Sequence, residues 1–283
     1  MAWNTLRTLV NRAGVAYDAL KTSVIFAEDM NKIKGNEEYL KNAIENAFSA
    51  WNPLGAVIYE GADAPSYTIS FASDMTAILN LGARIKLTDS TVKYFIITKI
   101  GAYTGGKTII TLYGGTDYTL SGGVITSFYY SQLKTPFGFP LSPLKWTEKL
   151  VMTSDVTTPN PVQMTWYNIT SKAIPIGIWN ITWGGVIGVV SNADKTIVRI
   201  SGTLSTANNT ESDTELSVYQ GMTGASSVLV CIAMVSVSKT IELNSKTTYY
   251  LNYRTISASE NIASIVTAYA HAPLKINAVC AYL

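Results

Sequence analysis

VKYFIITKIGAYTGGKTIITLYGG, residues 92–115, decides the fold class. Two β-branched runs, 92–103 and 107–115, are joined by a short loop carrying Gly105-Gly106. Glycine supplies the positive φ that a tight reversal needs, so the pattern predicts a β-hairpin. The flanks agree. Upstream, YTISF (67–71) alternates, and ARIKL (83–87) follows ASDMTAILNLG, a segment that fits one helical turn. Downstream, Asp117–Leu120 and a second Gly-Gly turn lead into YYSQLKTPFGFPLSP, where Pro136, Pro140 and Pro143 mark a boundary. Residues 54–144 are therefore expected to form a small β-module.

Residues 145–283 are denser still in strands. The candidates are 162–170, 176–190, 196–204, 215–222, 227–237, 239–243, 247–257 and 274–283, separated by Gly, Asn and Ser turns. Short strands at this spacing predict an antiparallel β-sandwich, jelly-roll-like in its strand density. In IGIWNITW, Trp179, Ile181 and Trp183 share one strand face, and an Ile between two Trp reads as core. The last strand carries apolar residues on both faces up to Leu283.

Against this β background, MNKIKGNEEYLKNAIENAFSAW (30–51) stands apart. Its apolar residues Met30, Ile33, Leu40, Ile44, Ala47 and Trp51 recur in steps of three and four, with Glu37 at the skipped slot. That is the spacing of a short coiled coil, predicted over residues 29–50, with a helix lying along its own domain the alternative. Glu28 and Asp29 favour its start through the helix dipole, and Asn52-Pro53 stops it. Before it, VAYDAL and KTSVIF read as short extended pieces, giving an N-terminal segment of residues 1–53.

Composition narrows the function classes. Charged residues make up only 14% of the 283-residue chain, against about 25% in an average soluble domain. Low charge without a membrane segment points to surface buried by oligomerisation, with Thr- and Tyr-rich strands the alternative source of it. The net charge of +2, with no extended Lys/Arg cluster, gives no electrostatic footprint for nucleic acid. The start, MAWNTLRTLVNRAG, is interrupted by Arg7 and Arg12 and does not read as a secretory signal. The apolar run SVLVCIAMVSV (227–237) falls short of the roughly 20 residues a spanning helix needs and suits a buried strand. Cys231 and Cys280, both in apolar strand-like runs, are expected as buried free thiols, with a bridge between them the alternative.

Catalytic signatures are absent from the sequence. His271 is the single histidine, no Gly-x-Ser-x-Gly stretch supplies a nucleophile elbow, and the cysteines and histidine lack metal-ligand spacing. The best acid cluster is Glu211, Asp213 and Glu215, which alternate and would converge on one strand face, but their polar, Asn-rich setting reads as a solvated loop. No enzymatic activity, cofactor or metal is expected.

Two stretches carry a family resemblance. SVIFAEDMNKIKGNEEYLKNAI is similar to the amino-terminal segment of many bacteriophage fibre proteins. The succession YTISF, DMTAILNLGARIKL, VKYFIITKI, KTIITLYGG, TPFGFP resembles a small β-module common in them. The chain thus resembles phage tail-fibre and receptor-binding structural proteins over its first two parts. The resemblance implies a homotrimer assembled in the host cytoplasm into the virion. Met30, Ile33, Glu37, Leu40, Ile44 and Ala47 would form the trimer seam, and the N-terminal segment would dock other virion proteins. The C-terminal domain would meet a host-surface glycan or protein. A purely structural role (head fibre, collar or baseplate joint) is the alternative, and a glycan depolymerase ranks below both.

Binding would draw on the aromatic residues, 11% of the chain, because sugar rings stack on Tyr and Trp while Asn and Arg bond their hydroxyls. In TTYYLNYRT, Tyr250, Asn252 and Arg254 share the polar strand face, opposite Tyr249, Leu251 and Tyr253. These three, with Tyr219 and the loop residues Asn208 and Asn209, are the receptor-binding candidates; Trp166 and Tyr167 lie in the same part.

Overall fold

The computed structural model describes residues 32–41, 44, 50–191, 197–223, 229–256, 262–267 and 272–283, the backbone alone at 191, 197–198, 222–223 and 229–235. Two compact units divide the chain. One holds the described residues up to Asn52 with Pro136–Gly138, and the other holds Pro53–Thr135 with Phe139–Leu283.

In the first unit, residues 32–41 form helix α1, and residue 44 is helical as well. Ala50 takes the left-handed conformation (φ 59°), which no helix interior tolerates. Trp51 is therefore off the helix. It is fully buried, its Nε1 donating to the Phe137 carbonyl at 2.8 Å. This corrects the helical spacing at its last step, since Trp51 is consumed inside its own chain. Met30, Ala47 and the extended pieces before residue 27 lie outside the described residues.

The second unit is mainly β and antiparallel. Its first sheet comprises β1 (Asn52–Pro53), β2 (Ile58–Asp63), β3 (Ser66–Phe71), β4 (Arg84–Asp89), β5 (Thr91–Ile100), β6 (Thr108–Tyr113) and β7 (Ser127–Ser131). Their order is β1-β7-β4-β5-β6-β3-β2. The expected hairpin is β5–β6, paired from Ile96↔Tyr113 to Ile100↔Ile110. One face buries Ile69, Phe71, Ile85, Leu87, Phe95, Ile97, Ile110 and Leu112. The 72–82 segment folds over that face as a single turn, with Leu79 N–H donating to Met75 O at 2.9 Å, and adds both side chains to the core.

The C-terminal part contributes β8 (Thr147–Val151), β9 (Thr157–Pro159), β10 (Tyr167–Ile174), β11 (Gly177–Ser191), β12 (Ile197–Ser205), β13 (Ser217–Thr223), β14 (Leu229–Leu243), β15 (Thr247–Thr255), β16 (Ile262–Thr267) and β17 (Lys275–Cys280). A four-stranded sheet runs β10-β15-β12-β13, and a six-stranded one is organised around β11. Along one edge, β11 pairs with β14 from end to end. Along the other it pairs first with β17, at Trp179–Gly184, and then with β16, at Ile187–Ser191. The changeover falls at Gly185, whose φ is +147° and where a Cβ would lie 2.6 Å from Leu274 Cα. Only glycine fits there.

The two sheets face each other as a sandwich. Trp183 of β11 donates through Nε1 to Leu216 O at 2.9 Å, and its ring fills the space above Gly202 of β12. Trp179, Ile181 and Trp183 are all fully buried, as their alternation predicts. Each such side chain contributes about 2–3 kcal/mol through removal of apolar surface from water. Within the same unit, the second face of the first sheet meets the sandwich at Tyr113. Its ring lies edge-on to Trp179 at 5.0 Å, and its hydroxyl donates to Glu148 at 3.1 Å. Cys280 is a buried free thiol; the Cys231 side chain lies outside the described residues.

Candidate functional site

The four-stranded sheet has an inner face built from Tyr249, Leu251 and Tyr253 with Ile200, Gly202 and Leu204, and an outer face that is polar. Pairing of β12 with β15 and β13 places the outer side chains in rows: Arg254–Ser201–Tyr219, Asn252–Thr203–Ser217 and Tyr250–Ser205. The 206–213 loop folds back over the middle of this face. Asn252 holds it, donating through Nδ2 to Thr210 O (2.8 Å) and Ala207 O (3.0 Å) and accepting at Oδ1 from Asn168 Nδ2 (3.1 Å). Ser205 Oγ bonds Ser212 Oγ at 3.0 Å, and Asn209, in the left-handed conformation Asn tolerates, accepts from Asn168 N–H at 2.6 Å.

This geometry corrects one binding candidate and redirects another. Asn252 is 0% exposed and its amide is fully engaged, so it shapes the loop instead of meeting a ligand. Asn209 is exposed, but its side-chain oxygen is taken by Asn168. Tyr219 is 56% exposed. Asn208 is also exposed, and Tyr250 is half-buried. Arg254 lies over the Trp166 ring, 4.3 Å from its centroid, with Nη2 3.9 Å from Glu211 Oε2.

Trp166, only a minor candidate in the sequence, is held by a bound turn. Met164 N–H donates to Thr255 O (2.8 Å), Gln163 Nε2 to Ile256 O (3.0 Å), and Val162 N–H to the Tyr167 hydroxyl oxygen (2.8 Å). No local pattern in QMTWYN signals this, because the anchoring carbonyls belong to a strand some 90 residues later in the chain, as the Gln163–Ile256 separation of 93 shows.

The acid cluster does not converge. Glu211 points to Arg254, whereas Asp213 and Glu215 share Lys239 of β14, at 2.6 and 2.5 Å. A 3-10 turn, Thr214–Leu216, takes the place of strand alternation here, and Asp213 caps it by accepting from Glu215 N–H at 3.0 Å. The Lys239 hydrogen bond holds the Asp213 carboxyl below its usual range, and the two acids push the Lys239 ammonium up. Among the described residues, no group of three or more His, Cys, Asp or Glu is placed to hold a metal ion. No described helix is long and apolar enough to cross a membrane. His271 lies outside the described residues.

On α1, Leu40 and Ile44 are 54% and 53% exposed, Glu37 is exposed and Ile33 is half-buried.

No protein-family model and no curated protein matches the sequence. Among solved structures, the chain is similar to the infectious bursal disease virus VP2 subviral particle at 10% identity and TM-score 0.31, over 81% of this chain and 72% of that one. It is similar to latent PorU from Porphyromonas gingivalis at 11% identity and TM-score 0.28, over 86% of this chain and 26% of that one. A third likeness is to the Arthrobacter globiformis T6 isomalto-dextranase complexed with panose, at 11% identity and TM-score 0.21, over 78% and 34%. At scores this low, none of these likenesses defines the fold or bears on function.

Proposed function

We propose that this chain is a structural component of a phage virion, a fibre or tail protein. In this reading α1 assembles three copies, the N-terminal segment docks other virion proteins, and the outer face of the four-stranded sheet meets a host-surface receptor. The observation that carries the reading is the 206–213 loop, which Asn252 pins onto a rigid sheet beside the exposed Tyr219. Loops fixed on a scaffold are where recognition is usually placed, because the scaffold supplies geometry and the loop supplies chemistry. The fibre-like stretches of the sequence support the virion assignment, and the exposed Leu40 and Ile44 support self-assembly. The reading assigns no catalysis. Asp213 and Glu215 are both bound to Lys239, whose hydrogen bond holds the Asp213 carboxyl below its usual range, away from the protonated acid a glycosidase needs.

A second reading, a virion joint without a receptor, is favoured by how far the outer face satisfies itself: Asn252, Asn168, Ser205 and Ser212 spend their hydrogen bonds on one another and on the loop. Adsorption separates the two. The fluorescently labelled full-length chain should bind cells of the phage's host and compete with the particle for adsorption. If it is located in the particle but binds no cells, the structural reading holds. Release of reducing sugars from host polysaccharide, lost in Glu215→Gln, would overturn the non-enzymatic assignment.

A further inference from the structure

Resting on the recognition reading, the geometry points to a saccharide subsite along the Arg254–Ser201–Tyr219 row, with Glu211 as the acceptor partner of Arg254 and a neutral sugar bearing adjacent hydroxyls as the ligand. The row is one short residue flanked by two long ones. Ser201 lies in register with both Arg254 and Tyr219 on neighbouring strands. Tyr219 and Arg254 thus stand two strand spacings apart, roughly 9–10 Å, about the width of one pyranose ring with its substituents. Tyr219 presents an open ring, while Ser201 at the floor is buried. That is an aromatic wall beside a polar one, the arrangement in which the apolar face of a sugar stacks while its hydroxyls are bonded.

The polar wall is set up but unspent. The Arg254 side chain is only 22% exposed, with its guanidinium lying over Trp166. Its Nη2 is 3.9 Å from Glu211 Oε2, beyond hydrogen-bonding distance. Its Nε is enclosed by the protein and has no hydrogen-bond partner among the described residues, which leaves the Nη groups as the donors a ligand can reach. A guanidinium donates in its own plane, and contact with the indole face restricts how far this one can swing. Beside them Glu211 can only accept. Two adjacent hydroxyls fit this pair, one accepting from Arg254 and the other donating to Glu211. The carboxylate also decides the charge of the ligand. An anionic sugar would gain Arg254 but face Glu211, whereas a neutral diol uses both. Neither wall is loose, because the 162–167 turn holds Trp166 and the Asn252 and Lys239 contacts hold the loop bearing Glu211.

The test uses the full-length chain and a panel of methyl glycosides: glucose, galactose, mannose and N-acetylglucosamine, with the matching uronic acids. Binding is followed by saturation-transfer NMR and by intrinsic fluorescence. At least one neutral glycoside should bind with millimolar affinity and perturb fluorescence, and Trp166→Phe should remove most of that change. Tyr219→Ala and Glu211→Gln should each weaken binding by about tenfold, the loss expected for a central contact. Tyr250→Ala, two rows away, should leave it within a factor of two. Tyr219 and Glu211 are surface positions, so these variants fold whatever becomes of Arg254→Met. Preference for the uronic acids, or unchanged affinity in both Tyr219→Ala and Glu211→Gln, would overturn the subsite. So would binding of host cells by a chain that binds no glycoside, which would leave the recognition reading intact. A chain that binds neither cells nor glycosides would remove both.

Discussion

The guanidinium of Arg84, fully buried on β4, donates to the carbonyl oxygen of Tyr282 at 2.9 Å, a contact spanning 198 positions. It also donates to Gly82 O (2.7 Å) and Lys134 O (3.1 Å) and lies over the Phe139 ring at 4.9 Å. One side chain thereby satisfies three carbonyls where the first sheet meets the sandwich.

Arg84→Met should therefore be among the most damaging single changes in the second unit. The thioether fills similar volume but leaves the carbonyls without their donor, at a cost of about 3 kcal/mol or more. For a unit of this size that corresponds to a fall in Tm of roughly 6–12 °C, measured by circular dichroism. A fall of a degree or less would mean that water replaces the guanidinium at no cost.

Asn252→Ala should release the recognition loop without unfolding the sandwich. The substitution removes the donor to Ala207 O and Thr210 O and the acceptor for Asn168 Nδ2. The cost should be about 2–3 kcal/mol, as for other buried polar groups left unpaired. Hydrogen exchange over 206–213 should accelerate while β11 and β12 stay protected. Asn252→Asp keeps the acceptor but loses both donations, and should open the loop as well.

These contacts mark how far the sequence could be read. Alternation revealed β5, β6, β11, β12 and β15, because a two-residue period is a local property that burial of one face enforces. The hairpin turn at Gly105-Gly106 was equally legible. The runs 227–237 and 239–243 read as two strands but form the single β14, since Ser236 and Ser238 look like a break when they are only the polar half of an alternation. β16 escaped notice because Ile262–Thr267 is short and mixed in polarity, and its strand identity comes from pairing with β11. The candidate face was half legible. Tyr219 and Arg254 could be assigned to a polar face, but the burial of Asn252 depends on a loop that returns over its sheet, which no periodicity encodes. The three acids, read from their polar setting as loop residues, are kept apart for a local reason: the 3-10 turn at Thr214–Leu216 replaces the strand geometry that would have aligned them.

The Lys239 clamp sets a pH window for the loop. Asp213 titrates below its ordinary value of 3.8, chiefly through its hydrogen bond from Lys239, so its contribution is present above that pH and is lost as pH falls through the lowered value. Lys239 is shifted upward from 10.5 by Asp213 and Glu215, so its contribution is present below 10.5 and is lost as pH rises through the raised value. Proteolytic nicking and hydrogen exchange at 206–213 should therefore stay flat from about pH 5 to 9 and rise below about pH 4. In Lys239→Met the acid-side rise should shrink, since Asp213 then loses the partner responsible for its shift. An unchanged profile would show that the clamp contributes nothing to holding the loop.

The Cys280 thiol is pushed up to about 11 by burial. Its thiolate is scarce at neutral pH, and access is closed as well. Iodoacetamide at pH 8 should leave the peptide containing Cys280 unmodified in the folded chain and alkylate it in denaturant, read by mass spectrometry. Rapid labelling in the folded chain would mean that the C-terminal strand opens readily.

Self-assembly through α1 is the remaining expectation, and the exposure of its apolar residues makes it testable. Leu40 and Ile44 are each more than half exposed on the single chain, one turn apart on the same helix face. A helix this short is marginal in isolation, so its apolar face has to find cover for the helix to persist. Burying both side chains in a threefold seam would contribute about 2–3 kcal/mol per chain, and an aspartate at either position would place charge in that seam. Light scattering with size-exclusion chromatography should report near three times the 30.7 kDa chain mass, and Leu40→Asp with Ile44→Asp should shift the population towards monomer. The Tm of the β unit should not move, because neither side chain belongs to its core. A wild-type chain that runs as a monomer at micromolar concentration would overturn the trimer. A trimer indifferent to both substitutions would place the assembly contact elsewhere in the chain.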